Sequence, residues 1–92
     1  MIYLKTPSEI ELMRKSCQII GALLDALNEL IKPGISTLKL DSFAEEFIRS
    51  RGGVPSFKGY RVPGLMPFPG TLCTSVNEAI VHGIPSRDTI LK

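Results

Sequence analysis

His82 is the only histidine in this chain of 92 residues. It falls in "CTSVNEAIVHGIPSRD", residues 73–88, where four side chains that could hold a metal lie near one another: Cys73, Glu78, His82 and Asp88. Their spacing fits neither the Cys/His zinc patterns nor an HExxH helix. The chain has no GxSxG element and no glycine-rich phosphate loop before a helix. The other carboxylates, Glu9, Glu11, Asp25, Glu29, Asp41, Glu45 and Glu46, fall in helical segments and read as solvated faces. On residue chemistry alone His82 is a packed structural histidine first and a functional one second. Gly83 and Pro85 after it suggest a strand end, which is where sites tend to be built.

Two helices must carry the rest. "TPSE" puts Thr6 at an N-cap, Pro7 at the first helical position and Glu9 at the third, a capping box with a favourable proline. Ile10, Met13, Cys17, Ile20, Leu24, Leu27 and Ile31 then recur in steps of three and four, one face of a helix running from about residue 7 to 32. Leu12, Ile19, Leu23 and Leu30 widen that stripe, which suits packing on a sheet or another helix better than a coiled-coil seam. Ser36 or Thr37 caps a second helix with Leu40, Phe43, Ala44, Phe47 and Ile48 on one face, and Gly52-Gly53 stops it.

From Val54 the pattern changes. "VPSFKGYRVPGLMPFPG" is too rich in proline and glycine for a helix or a central strand, yet it keeps large apolar groups. Such a loop packs them beneath itself or into a pocket. "TLCTSV" and "AIVH" read as two short strands joined at Asn77-Glu78, with His82 on the same face as Ile80. The expected fold class is therefore α/β (α+β): two helices, an aromatic loop and a β-hairpin. Two strands do not make a stable sheet in water, and the chain stops on an apolar-rich stretch. It reads as one incomplete domain over residues 1–92, or as a small domain completed by self-association through its sheet edge.

Composition narrows the partners. With 43% hydrophobic and 22% charged residues the chain is that of a globular protein. A net charge of +2, from 11 basic and 9 acidic residues without runs of one sign, argues for neither nucleic-acid nor membrane binding. Cys17 and Cys73 lie far apart and form no disulfide framework, which fits reduced thiols in the cytoplasm. The N-terminus lacks the pattern of a signal peptide, and no stretch is long enough to span a bilayer.

"CTSVNEAIVHGIP" resembles the stretch that marks type I methionine aminopeptidases, enzymes that remove the initiator methionine from new proteins. "IYLKTPSEIELMRKS" and "IKPGISTLKLDSFAEEFIRSRGGVPSFKGY" resemble the same family in the same order, so the likeness runs over the whole chain. The resemblance implies the N-terminal part, roughly a third, of a pita-bread aminopeptidase fold. It implies two divalent metal ions (Co, Mn, Fe or Zn) whose ligands lie beyond this chain, so that no metal is expected on this segment and the segment alone is inactive.

It further implies that His82 hydrogen-bonds the scissile peptide and that Tyr60, Phe68, Cys73 and Phe57 bind the substrate methionine. Nascent-chain N-termini would be the substrate, with the ribosome a candidate partner, in a protein that is cytoplasmic and monomeric when complete. One departure is a longer segment "RVPGLMP", residues 61–67, between the two aromatic elements. Other readings are a pita-bread binding module without catalysis and a prolidase-like peptidase.

Overall fold

The computed structural model describes residues 2–61 and 63–92; Met1 and Val62, the latter within the 61–67 insertion, lie outside them. Helix α1 spans Pro7–Leu30. The Thr6 side chain accepts from the Glu9 amide, and the Thr6 amide donates to Glu9 Oε1 at 2.8 Å. These two bonds satisfy N–H groups that a helix start leaves without partners. The helix stops two residues before the expected Lys32, where Ile31 adopts an extended backbone ahead of Pro33.

Helix α2 spans Thr37–Ser50 behind a Ser36 cap, whose side chain accepts from the Lys39 amide. Its free amides also find partners in the C-terminal segment. The Thr37 amide donates to the Thr89 carbonyl at 2.9 Å, and the Leu38 amide to the Ser86 carbonyl at 3.2 Å. The buried Thr37 hydroxyl donates to the Ser86 carbonyl and accepts from the Ser86 amide. Residues 86–91 are thereby laid along the start of α2, with an isolated antiparallel bridge between Ser36 and Ile90.

The core lies between the helices. Leu23 and Leu27 of α1 meet Leu40, Ala44 and Ile48 of α2, with Ile19, Leu30, Phe43, Phe47 and Leu72 packed around them. Both buried rows follow the spacing of four, and each fully buried leucine contributes about 1.5–3 kcal/mol. Ala44, 0% exposed, has no long side chain to separate the helices there. The stripe expected to lead the packing of α1 is instead mostly exposed: Ile10, Met13, Ile20 and Leu24 face outward, and of that stripe Leu27 is buried, joined in the core by Leu23 from its edge. A fourteen-residue helix covers only one side of a twenty-four-residue one.

The expected β-hairpin is absent, and with it the α/β class: the described residues contain two helices and no strand. The turn at Asn77-Glu78 does form, closed by the Ala79 amide on the Val76 carbonyl. The open end is held by the Thr74 amide on the Gly83 carbonyl at 2.8 Å. Between those bonds one arm takes two steps, from 76 to 74, and the other four, from 79 to 83. No ladder registers across that mismatch. Asn77 takes its positive φ within the turn, and the positive φ at His82 bends the second arm, so the alternation expected to set His82 beside Ile80 does not hold. Without a strand there is also no sheet edge for self-association among the described residues.

Candidate functional site

Phe57 is the hub of the site. Its ring lies 4.7 Å from that of Phe68, tilted, and 5.7 Å from that of Tyr60, nearly parallel at 13°. It also lies 5.7 Å from the imidazole of His82, at 38°. Offset and tilted pairs of this kind contribute beyond the area they bury. The loop that brings Phe57, Tyr60 and Phe68 together is closed at its base by two backbone bonds. The Gly59 amide donates to the Phe68 carbonyl at 2.7 Å, and the Phe68 amide to the Tyr60 carbonyl at 3.1 Å. The insertion therefore leaves and returns at one place, and its Leu65 and Met66 project into solvent.

His82 reaches this cluster through an unusual backbone. Its φ of 55° is a conformation that side chains other than glycine's seldom adopt. The next residue is held tightly: the Gly83 amide donates to Ser75 Oγ at 3.1 Å, and its carbonyl accepts from the Thr74 amide. A Cβ at Gly83 would collide with the Thr74 carbonyl, so this approach requires glycine. The imidazole itself is exposed, with one face on Phe57. Cys73 stands differently. Its thiol is free and exposed, and its backbone lies between Leu72, held by Asp41, and Thr74, held by Gly83. Four of the five residues singled out from sequence thus share one set of ring contacts, and Cys73 is outside it.

Three residues that sequence reasoning did not single out hold this loop. Asp41, expected on a solvated face, is only 5% exposed; its Oδ1 accepts from the amides of Thr71 and Leu72 at 2.7 and 2.6 Å. It lies three residues before Ala44, so helical spacing already put it beside the buried row. Glu45 bonds Lys58, next to Phe57, and also accepts from Arg49 Nε at 3.1 Å. Lys58 first, and then Arg49, holds the Glu45 carboxyl below the ordinary carboxylate value. Among the described residues no three His, Cys, Asp or Glu side chains could together hold a metal ion. No helix of the described residues is long and apolar enough to cross a membrane.

Residues 11–92 match the model of metallopeptidase family M24, and the chain belongs to that family. Within the family it is similar to methionine aminopeptidases. It is 45% identical over 91 residues to that of Clostridium acetobutylicum, covering 99% of this chain and 34% of the relative. It is 49% identical over 85 residues to methionine aminopeptidase 1 of Bacillus subtilis, covering 92% and 32%. The crystal structure of the methionine aminopeptidase from Rickettsia prowazekii superposes with a TM-score of 0.88 at 32% identity, over 100% of this chain and 35% of that one. The chain spans about a third of the length of the relatives it matches.

Proposed function

We propose that this chain supplies the substrate-facing part of a methionine aminopeptidase, which hydrolyses the bond after the N-terminal methionine of new polypeptides. The observation that carries the reading is the contact of Phe57 with Tyr60, Phe68 and His82. Aromatic faces suit a flexible, polarisable thioether, and Tyr60, Phe68 and Phe57 would receive it. Cys73, outside those ring contacts here, would add a soft apolar group to the same pocket. A histidine N–H at its rim would bond the scissile peptide and stabilise the charge that develops on it during attack. The strained backbone at His82, closed behind by Gly83, orients the ring before substrate arrives.

The family's divalent metals are not accommodated by the described residues, whose carboxylates lie away from any cluster. This segment therefore binds and orients, and hydrolysis needs the ligands of a longer polypeptide. Two free thiols are in keeping with a reducing, cytoplasmic setting.

The test is peptide hydrolysis by the polypeptide that the gene encodes, supplied with divalent metal, on methionyl dipeptides and on the same peptides with leucine first. His82→Ala is expected to lower kcat by about 10²–10³-fold with a smaller change in KM. Residues 1–92 alone are expected to show no turnover. Loss of less than about threefold on His82→Ala would remove the histidine from this role. Binding of methionyl peptides without hydrolysis would instead identify a non-catalytic binding module.

A further inference from the structure

Asp41 and Glu45 lie one helical turn apart on α2, and each holds one end of the same irregular segment. Between Lys58 and Thr71 the described residues form no helix and no strand, so backbone ladders do not place this segment against the core. Two backbone bonds close the loop on itself at Gly59, Tyr60 and Phe68, and contacts at its ends seat it on α2. At the entry Lys58 bonds Glu45, and the residue just before Lys58 is Phe57. At the exit the buried Asp41 accepts from both Thr71 and Leu72. The exit tie is close: a Cβ on Gly70 would lie 3.1 Å from Asp41 Oδ1 and 3.0 Å from Pro85 Cγ. Pro85 follows His82 by three residues, so the exit of the loop and the segment after His82 meet at Gly70.

We infer that Asp41 and Glu45 act as a two-point clamp, positioning residues that hold the aromatic loop by its ends and so set the contact between Phe57 and His82. The inference rests on the proposed function only for its effect on substrate; the clamp itself concerns the geometry of this chain. The two ties differ in kind. Asp41 is buried and stiff, because a carboxylate accepting two amides has little freedom. Glu45 and Lys58 are partly exposed, with side-chain exposures of 26% and 41%, so their tie is the weaker and more salt-sensitive one. The clamp is therefore firm at its exit and adjustable at its entry, beside Phe57.

The test compares Lys58→Met, Glu45→Gln and Lys58→Arg in the full polypeptide, because these positions are exposed enough to vary without unfolding it. The aromatic proton signals of His82 report its ring contact with Phe57 without reference to activity. Lys58→Met and Glu45→Gln are expected to weaken the His82–Phe57 cross-peaks and to move the His82 ring signals toward their unfolded positions. KM for methionyl peptides is expected to rise about threefold, with kcat changing less.

Lys58→Arg keeps the ion pair and is expected to restore both readouts. Asp41→Asn, which retains an acceptor oxygen, is expected to shift the same His82 signals. Unchanged His82 signals in both Lys58→Met and Glu45→Gln, or a Lys58→Arg variant as impaired as Lys58→Met, would overturn the clamp. A parent that hydrolyses no methionyl peptide would overturn the proposed function, while the ring signals would still decide the clamp.

Discussion

His82 concentrates the tension between folding and function in one residue. Its φ of 55° costs about 1–2 kcal/mol relative to an ordinary backbone, and its ring gains back part of that against Phe57. The two contributions can be separated. His82→Ala and His82→Gly both delete the ring, but only glycine accepts the positive φ at ease. The glycine variant is expected to be more stable than the alanine variant by about 1 kcal/mol, measured by urea denaturation. A glycine variant less stable than the alanine variant by about 0.4–1 kcal/mol, the backbone entropy glycine loses on folding, would mean that the backbone at this position carries no strain. At this scale the sequence was informative about side chains with obvious chemistry and poor about supporting ones. His82 stood out as the one imidazole of the chain, and Phe57, Tyr60 and Phe68 through the family resemblance of the segments that hold them. Asp41 was read as solvated because most carboxylates are, although its place beside Leu40 and Ala44 already implied burial.

At the scale of elements the helices depend on their ends as well as their faces. Glu9 closes the capping box of α1, and its bonds to Thr6, the backbone one first, hold its carboxyl below its ordinary value of 4.5. A depressed carboxyl binds protons more weakly in the folded chain than in the unfolded one. Its contribution is therefore complete above the ordinary value and is lost as pH falls below 4.5 through the lowered one. Helicity followed by circular dichroism is expected to fall more steeply over that interval in the parent than in Glu9→Gln, which keeps the cap without the charge. Identical profiles would remove Glu9 from the acid response. Both helix starts were legible because a cap is a local matter of side chain and backbone within four residues. The β-hairpin was misread because alternation and a turn are also local, whereas a ladder needs matched arms and a further strand. Nothing in "TLCTSVNEAIVH" announced that His82 would bend the second arm, since that conformation is fixed by Gly83 closing on Thr74.

The whole molecule is marked by how little of its apolar surface two helices can cover. Among the described residues five apolar ones form the buried core, while Ile10, Met13, Ile20 and Leu24 of α1 stay exposed on a single helix face. Exposed apolar side chains are ordinary when scattered, but a row along one helix makes a continuous patch that water disfavours. The net charge of +2 offers little repulsion to keep copies apart. Residues 1–92 in isolation are therefore expected to associate as concentration rises, through the outer face of α1. Sedimentation should show a weight-average mass that climbs with concentration, together with binding of a hydrophobic dye. Met13→Lys combined with Leu24→Lys should abolish both effects and leave helicity unchanged, because neither residue belongs to the core with Leu23 and Leu27. If the double variant associates as the parent does, the contact lies elsewhere, and the apolar tip of the aromatic loop at Leu65 and Met66 becomes the surface to change next.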